Sequence, residues 1–166
     1  LIVLIMSFMG LLASDRQTGM QDFILTRPVS RNVYLVSKWF SHSMISLFGI
    51  SIGAVTSYGL IVYWFGSLSP ILALRIISDF SLWTLFVVSL TLLISTYLQR
   101  AVPIGILSLV VSLLLVALPS LLPDVLFFTP GALLSEPPTA PFFSSSHLIS
   151  VTFCLVWILL TLVWSA

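Results

Sequence analysis

Arg75 and Asp79 stand four residues apart in a run, Ile71 to Leu98, that holds no other charge. In an α-helix that spacing puts both on one face. Charges in so apolar a setting are expensive and mark either function or neutralisation. Two uses are open: a pair that touches substrate, or a neutralising pair whose long side chains snorkel to the near interface. The spacing favours the second, although Arg before Asp is the weaker order for such a pair. His42 and His147 fall near opposite ends of the spans, about 30 Å apart across the membrane, so they cannot share a haem or metal. Cys154 is the single cysteine, which excludes an intrachain disulfide and reads as a small apolar packing residue. Ser89, Thr91, Ser95 and Thr96 either line a passage or bond the carbonyls of their own helix, which is the ordinary use. No Ser/His/Asp set, paired carboxylates or HExxH pair is present, and no G-x-x-x-x-G-K-[ST] phosphate loop. The expectation is a chain that is no enzyme and carries neither metal nor cofactor of its own.

The elements that hold these residues follow from composition. Of 166 residues 59% are apolar and 7% charged, against about 25% charged in soluble domains. A water-soluble globule is excluded, and a net charge of +1 gives no field for nucleic acid. The better unit is the span of about 20 apolar residues. Spans are expected from Trp39 to Phe65, over Ile71–Leu98, over 102–122 and from Leu148 to Ala166. Leu1 to Ala13 reads as the inner half of a truncated helix. Backbone groups in lipid must be paired within their own segment, so every span is helical. The fold class is therefore all-α: a polytopic transmembrane helix bundle of about four full spans plus a truncated one. Pro70 and Pro103 sit where helices start. The loop 123–147 holds five of the nine prolines, two acids and no basic residue. Because the chain opens inside an apolar run without a basic leader, residues 1–166 are expected to be one transmembrane domain lacking its N-terminal part.

Alternating spans gather Arg16, Arg27, Arg31, Lys38 and Arg100 on one side, while 66–70 and 123–147 have no basic residue. That bias makes 14–38 cytoplasmic and 123–147 an outer loop. Trp39 and Trp64 bracket their span as interface anchors do, whereas Trp83 and Trp157 fall deeper. Gly49, Gly53 and Ser57 form a small-residue stripe that lets a helix pack closely, inside this bundle or against another copy.

The segment 14–38 holds six of the eleven charged residues. Gly19 breaks a helix arriving from the membrane, and Met20, Phe23 and Ile24 then form one apolar face on a short helix. Pro28 ends that helix, and Ser30 is placed to cap the next one, which carries Tyr34 and Lys38. The face suits an interfacial lipid anchor or a groove on a protein. Its small size favours the groove. The string from Asp15 through Gly19 to Leu25, then RPVSR at Arg27–Arg31 and Lys38, resembles the permeases of type-2 ATP-binding cassette transporters. Asp15, Gly19, Leu25, Pro28, Arg31 and Lys38 fall on that family's positions. Met20 stands where Thr is usual, and Ser37 where Gly is common. STYLQRAVP at Ser95–Pro103 and TPGALL at Thr129–Leu134 are similar to the family's inner turn and outer loop.

The resemblance implies a permease subunit of the prokaryotic cell membrane, with substrate unidentified. Gly19, Met20, Phe23, Ile24 and Leu25 would contact a nucleotide-binding subunit as a coupling helix. Asp15, Pro28, Ser30, Arg31 and Lys38 would hold the segment's shape. ATP and Mg would sit on that partner, and a second permease copy or paralogue would complete the pathway within membrane lipid. The rival expectation is a non-transport membrane subunit of an enzyme or respiratory complex, which would need cofactor ligands or an acid/base cluster facing one cavity.

Overall fold

The computed structural model describes residues 5–6, 8, 30–66, 69–98, 100–121, 130, 132–135 and 145–165. Described elements are all helical: α1 (Arg31–Phe65), α2 (Pro70–Tyr97), α3 (Ala101–Leu121), the short α4 (Ala132–Ser135) and α5 (Ser145–Ser165). Three are long and apolar enough to cross a membrane among the described residues, and α3 adds an apolar stretch over Ala101–Ala117.

Local chemistry sets the ends. Ser30 is extended at the N-cap of α1, and its Oγ accepts from the Val33 N–H at 3.4 Å. This is the capping role its sequence position predicts. Gly66 closes α1 at φ +88°, where only glycine sits without strain, and its N–H bonds the Val62 carbonyl. Pro70 opens α2 at a position where a missing N–H costs nothing, and Pro103 lies in the first turn of α3. Two bounds differ from the sequence reading. The α1 helix starts eight residues before Trp39, and α5 starts at Ser145, which draws His147 out of the loop into a helical first turn.

The hub is α2, which packs against α1, α3, α4 and α5. Its buried Trp83, Phe86, Val87, Leu90 and Ile94 form one core with Ile104 of α3, Leu133 of α4, and Cys154 and Ile158 of α5. Ile5 is buried in the same core, and Phe8 meets the His42 ring edge-on at 4.9 Å. The faces turned inward on α3 and α5 are small and hydroxylic. On α5 His147, Ser150, Cys154, Ile158 and Thr161 recur at steps of three or four and are all buried. On α3 Ile104, Ser108 and Ser112 do the same. Lipid is as apolar as leucine, so close approach of backbones, not hydrophobicity, selects the packed face.

The α1 helix is bound at one end. All its buried residues (Tyr34, Leu35, His42, Ser43 and Ser46) lie in its first half, and from 47 to 66 none is buried. Tyr34 and Leu35 pack on Leu92 of α2.

Candidate functional site

Arg75 and Asp79 hang from the first third of α2, and His147 from the first turn of α5. The two helices run parallel, in register from Asp79–His147 at one end to Tyr97–Trp164 at the other, where Trp164 Nε1–H donates to the Tyr97 hydroxyl. Near the His147 end, the His147 Nε2–H donates to Asp79 Oδ1 at 2.9 Å. Arg75 Nε stands 3.8 Å from the other carboxylate oxygen, an ion pair beyond hydrogen-bond length. The side chains of Arg75, Asp79 and His147 are 3%, 12% and 4% exposed. This corrects the snorkelling expectation. The guanidinium does not leave the bundle but is buried, and the carboxylate's closest described partner is a histidine 68 residues away. The spacing in sequence shows the i,i+4 pair and hides the histidine. The usable signal was sidedness, since all three residues lie toward the non-basic end.

The hydroxyls of α2 serve the backbone. Ser89, Thr91, Ser95 and Thr96 donate to the carbonyls of Leu85, Val87, Leu92 and Leu93 at 2.6 to 2.8 Å. Ser89 also accepts from Trp39 Nε1–H at 2.8 Å. Trp39 is thus tied to α2 rather than simply floating at an interface, while Trp64 is exposed and Trp83 belongs to the core. His42 donates from Nδ1 to the Lys38 carbonyl at 2.6 Å, and Lys38 Nζ stands 5.8 Å from the centre of the Tyr34 ring. Cys154 is buried, with Sγ directed at the Leu82 carbonyl at 3.9 Å. Among the described residues no three His, Cys, Asp or Glu side chains gather as metal ligands do.

Between the free half of α1 and the bundle lies a cleft of about 590 Å³. Ile50, Gly53, Ala54 and Ser57 form its α1 wall, while Ile77, Phe80, Trp83 and Thr84 of α2 face them. Val87 of α2, Leu113 and Val116 of α3, and Leu134 of α4 complete it. Among the described residues, the small-residue stripe borders this cleft. A Cβ added at Gly49 or Gly53 meets no described atom within 4 Å. Arg75, Asp79 and His147 are absent from the described lining, so the acid/base cluster and the cleft are separate.

Of the coupling segment, Ser30, Arg31 and Lys38 lie on or beside α1. Asp15, Gly19, Met20, Phe23, Ile24, Leu25 and Pro28 lie outside the described residues. Of the described basic residues, Arg31, Lys38 and Arg100 fall at one end of the bundle, because α1 starts there and α2 ends there, while Arg75 lies toward the other.

No protein-family model matches the chain, and no solved structure matches it. It is similar to the uncharacterized transmembrane protein YxlG of Bacillus subtilis (strain 168), 31% identical over 94 residues. Those residues are 57% of this chain and 36% of the relative, so the match spans about a third of the relative's length. The helices and this likeness agree on a multi-pass transmembrane protein.

Proposed function

We propose that this chain is a permease subunit of a type-2 ATP-binding cassette transporter in a prokaryotic cell membrane. It moves its substrate with ATP hydrolysed, with Mg, on a separate nucleotide-binding subunit, and it works beside a second permease copy or paralogue. The observation that supports this reading is the length and attachment of α1. Its 35 residues make a rod of about 52 Å, against about 30 Å of hydrocarbon. The rod starts at Arg31 with a side-chain cap from Ser30, and it is buried only in its first half. A push at its capped end tilts the rod. The rival reading, a membrane subunit of an enzyme, has an acid/base cluster in Arg75, Asp79 and His147. That cluster is buried between α2 and α5, and none of its three residues is in the described lining of the cleft beside α1.

The test is co-purification of the nucleotide-binding subunit with the full-length permease. Phe23 is the aromatic anchor of the coupling face, and truncating such anchors often costs about 2 kcal/mol or more of binding. Phe23→Asp should release the subunit and abolish transport while the permease stays inserted. Equal recovery of the subunit with Phe23→Asp removes this helix as the docking element.

A further inference from the structure

We propose that the cleft between α1 and α2 binds one hydrocarbon chain, supplied by a membrane phospholipid of the leaflet at the Phe65/Pro70 end. The site does not depend on the transport reading.

Four observations carry it. The volume, about 590 Å³, lies in the ordinary range of small-molecule sites. No ionisable side chain is in its described lining, and the Thr84 hydroxyl is already spent on the Phe80 carbonyl at 2.8 Å. Apart from the Ser57 hydroxyl the remaining described walls are apolar, so a charged headgroup would find no ionic partner there, whereas a chain matches them. The cleft persists because α1 offers Gly53, Ala54 and Ser57 where larger side chains would reach across to Phe80 and Trp83. Finally, the mouth is continuous with the membrane-facing surface. Ile76 and Phe80 of α2 and Leu113 and Val116 of α3 line the cleft and are themselves exposed, and α1 and α2 are apolar enough to span, so the medium at the opening is lipid. The floor is different: Trp83 is 4% exposed. A chain that enters passes from the half-exposed Phe80 ring to a buried indole, leaving its headgroup at the interface.

The experiment uses the full chain in vesicles of phosphatidylethanolamine and phosphatidylglycerol, a fraction of which carries a diazirine on one acyl chain. After irradiation, labelled peptides are located by mass spectrometry. Label is expected on the Phe80–Val87 and Ile50–Ser57 stretches above that on the exposed α5 residues Leu159 and Val163, which meet bulk lipid. Gly53→Phe should fill the cleft and lower the label on Phe80–Val87 about tenfold, the worth of two buried methylene groups. Ala54→Phe provides a second filling variant should the first fail to insert. Gly49→Phe, outside the described lining, should leave the label unchanged. Label on Phe80–Val87 no greater than on α5, or indifferent to both filling variants, overturns the site. So does cross-linking of this stretch to a second copy or to another segment of the chain in place of lipid.

Discussion

The contact between Asp79 and His147 fixes where α5 starts against α2, and its strength follows from geometry. The donor–acceptor distance is 2.9 Å, the acceptor is a carboxylate, and both side chains are largely shielded. A hydrogen bond to a charged group is worth about 1.5–3 kcal/mol. Interhelical bonds measured in membrane bundles average about 0.6 kcal/mol with a ceiling near 1.7, because the unfolded helices find other partners in lipid. Charge assistance places this pair toward that ceiling, at about 1.5 kcal/mol. The Arg75–Asp79 pair, at 3.8 Å and within one helix, survives separation of the helices and should couple by about 0.5 kcal/mol or less. Two double-mutant cycles on detergent-solubilised protein, unfolded reversibly with SDS, separate the terms. The first uses Asp79→Ala and His147→Ala, the second Arg75→Ala and Asp79→Ala. Asp79→Ala alone should cost the most, about 2 kcal/mol, since it removes both contacts at once. A coupling for Asp79–His147 no larger than that for Arg75–Asp79 would refute the assignment of histidine as the carboxylate's principal partner.

Three further outcomes follow from the same packing. Gly49→Ala should be neutral or stabilising by up to about 1 kcal/mol, since alanine favours the helix and the added methyl meets nothing; a loss above about 1 kcal/mol in the same unfolding assay would mean that another chain covers this face. Ser112 Oγ is buried with no hydrogen-bond partner among the described residues, so Ser112→Ala should leave stability unchanged or raised, whereas a bridging water would make it fall. Single cysteines at Ser30 and Ser145 in a Cys154→Ser background should react with an impermeant thiol reagent from opposite sides of sealed vesicles, and reaction from the same side would overturn the sidedness drawn from the basic residues.

What the sequence made legible is the axial organisation. Ser30, Gly66, Pro70 and Pro103 act on the backbone within one turn, so their effect needs no knowledge of neighbours. Lateral organisation is another matter. Leucine-rich faces look alike whether they meet lipid or protein, and the moments that reveal a buried face in water are weak here. The small-residue stripe at Gly49, Gly53 and Ser57 suits a packing face, yet among the described residues it borders the cleft. The stripes that do pack, Ser108 and Ser112 on α3 and Ser150, Cys154 and Thr161 on α5, are hydroxylic or thiolic rather than glycine-based. A polar-inside reading of the spans points to them, and also to the buried Ser89 and Thr91 of α2. The link between Asp79 and His147 crosses 68 residues, and only the parallel packing of α2 and α5 creates it.

The attachment of α1 sets a mechanical ratio. Trp39, bonded to Ser89, lies eight residues beyond the start of the helix at Arg31, about 12 Å, and 26 residues before its end at Phe65, about 39 Å. A straight rod pivoting there moves its far end about three times as far as its near end. The far half flanks the cleft and buries no residue, so the described packing that resists the swing is that of Tyr34, Leu35, His42, Ser43 and Ser46 in the first half. Spin labels at the exposed Tyr63 and Ile71 would report the far end, and labels at Val36 and Tyr97 the near end. On the permease reading proposed above, binding of the nucleotide-binding subunit with ATP should change the first distance about threefold more than the second. Trp39→Phe removes the bond to Ser89 and should blur that ratio, because the pivot loses its fixed point while the helix remains. Equal changes at both ends would mean that α1 slides along α2 as a whole, and the lever would have to be given up.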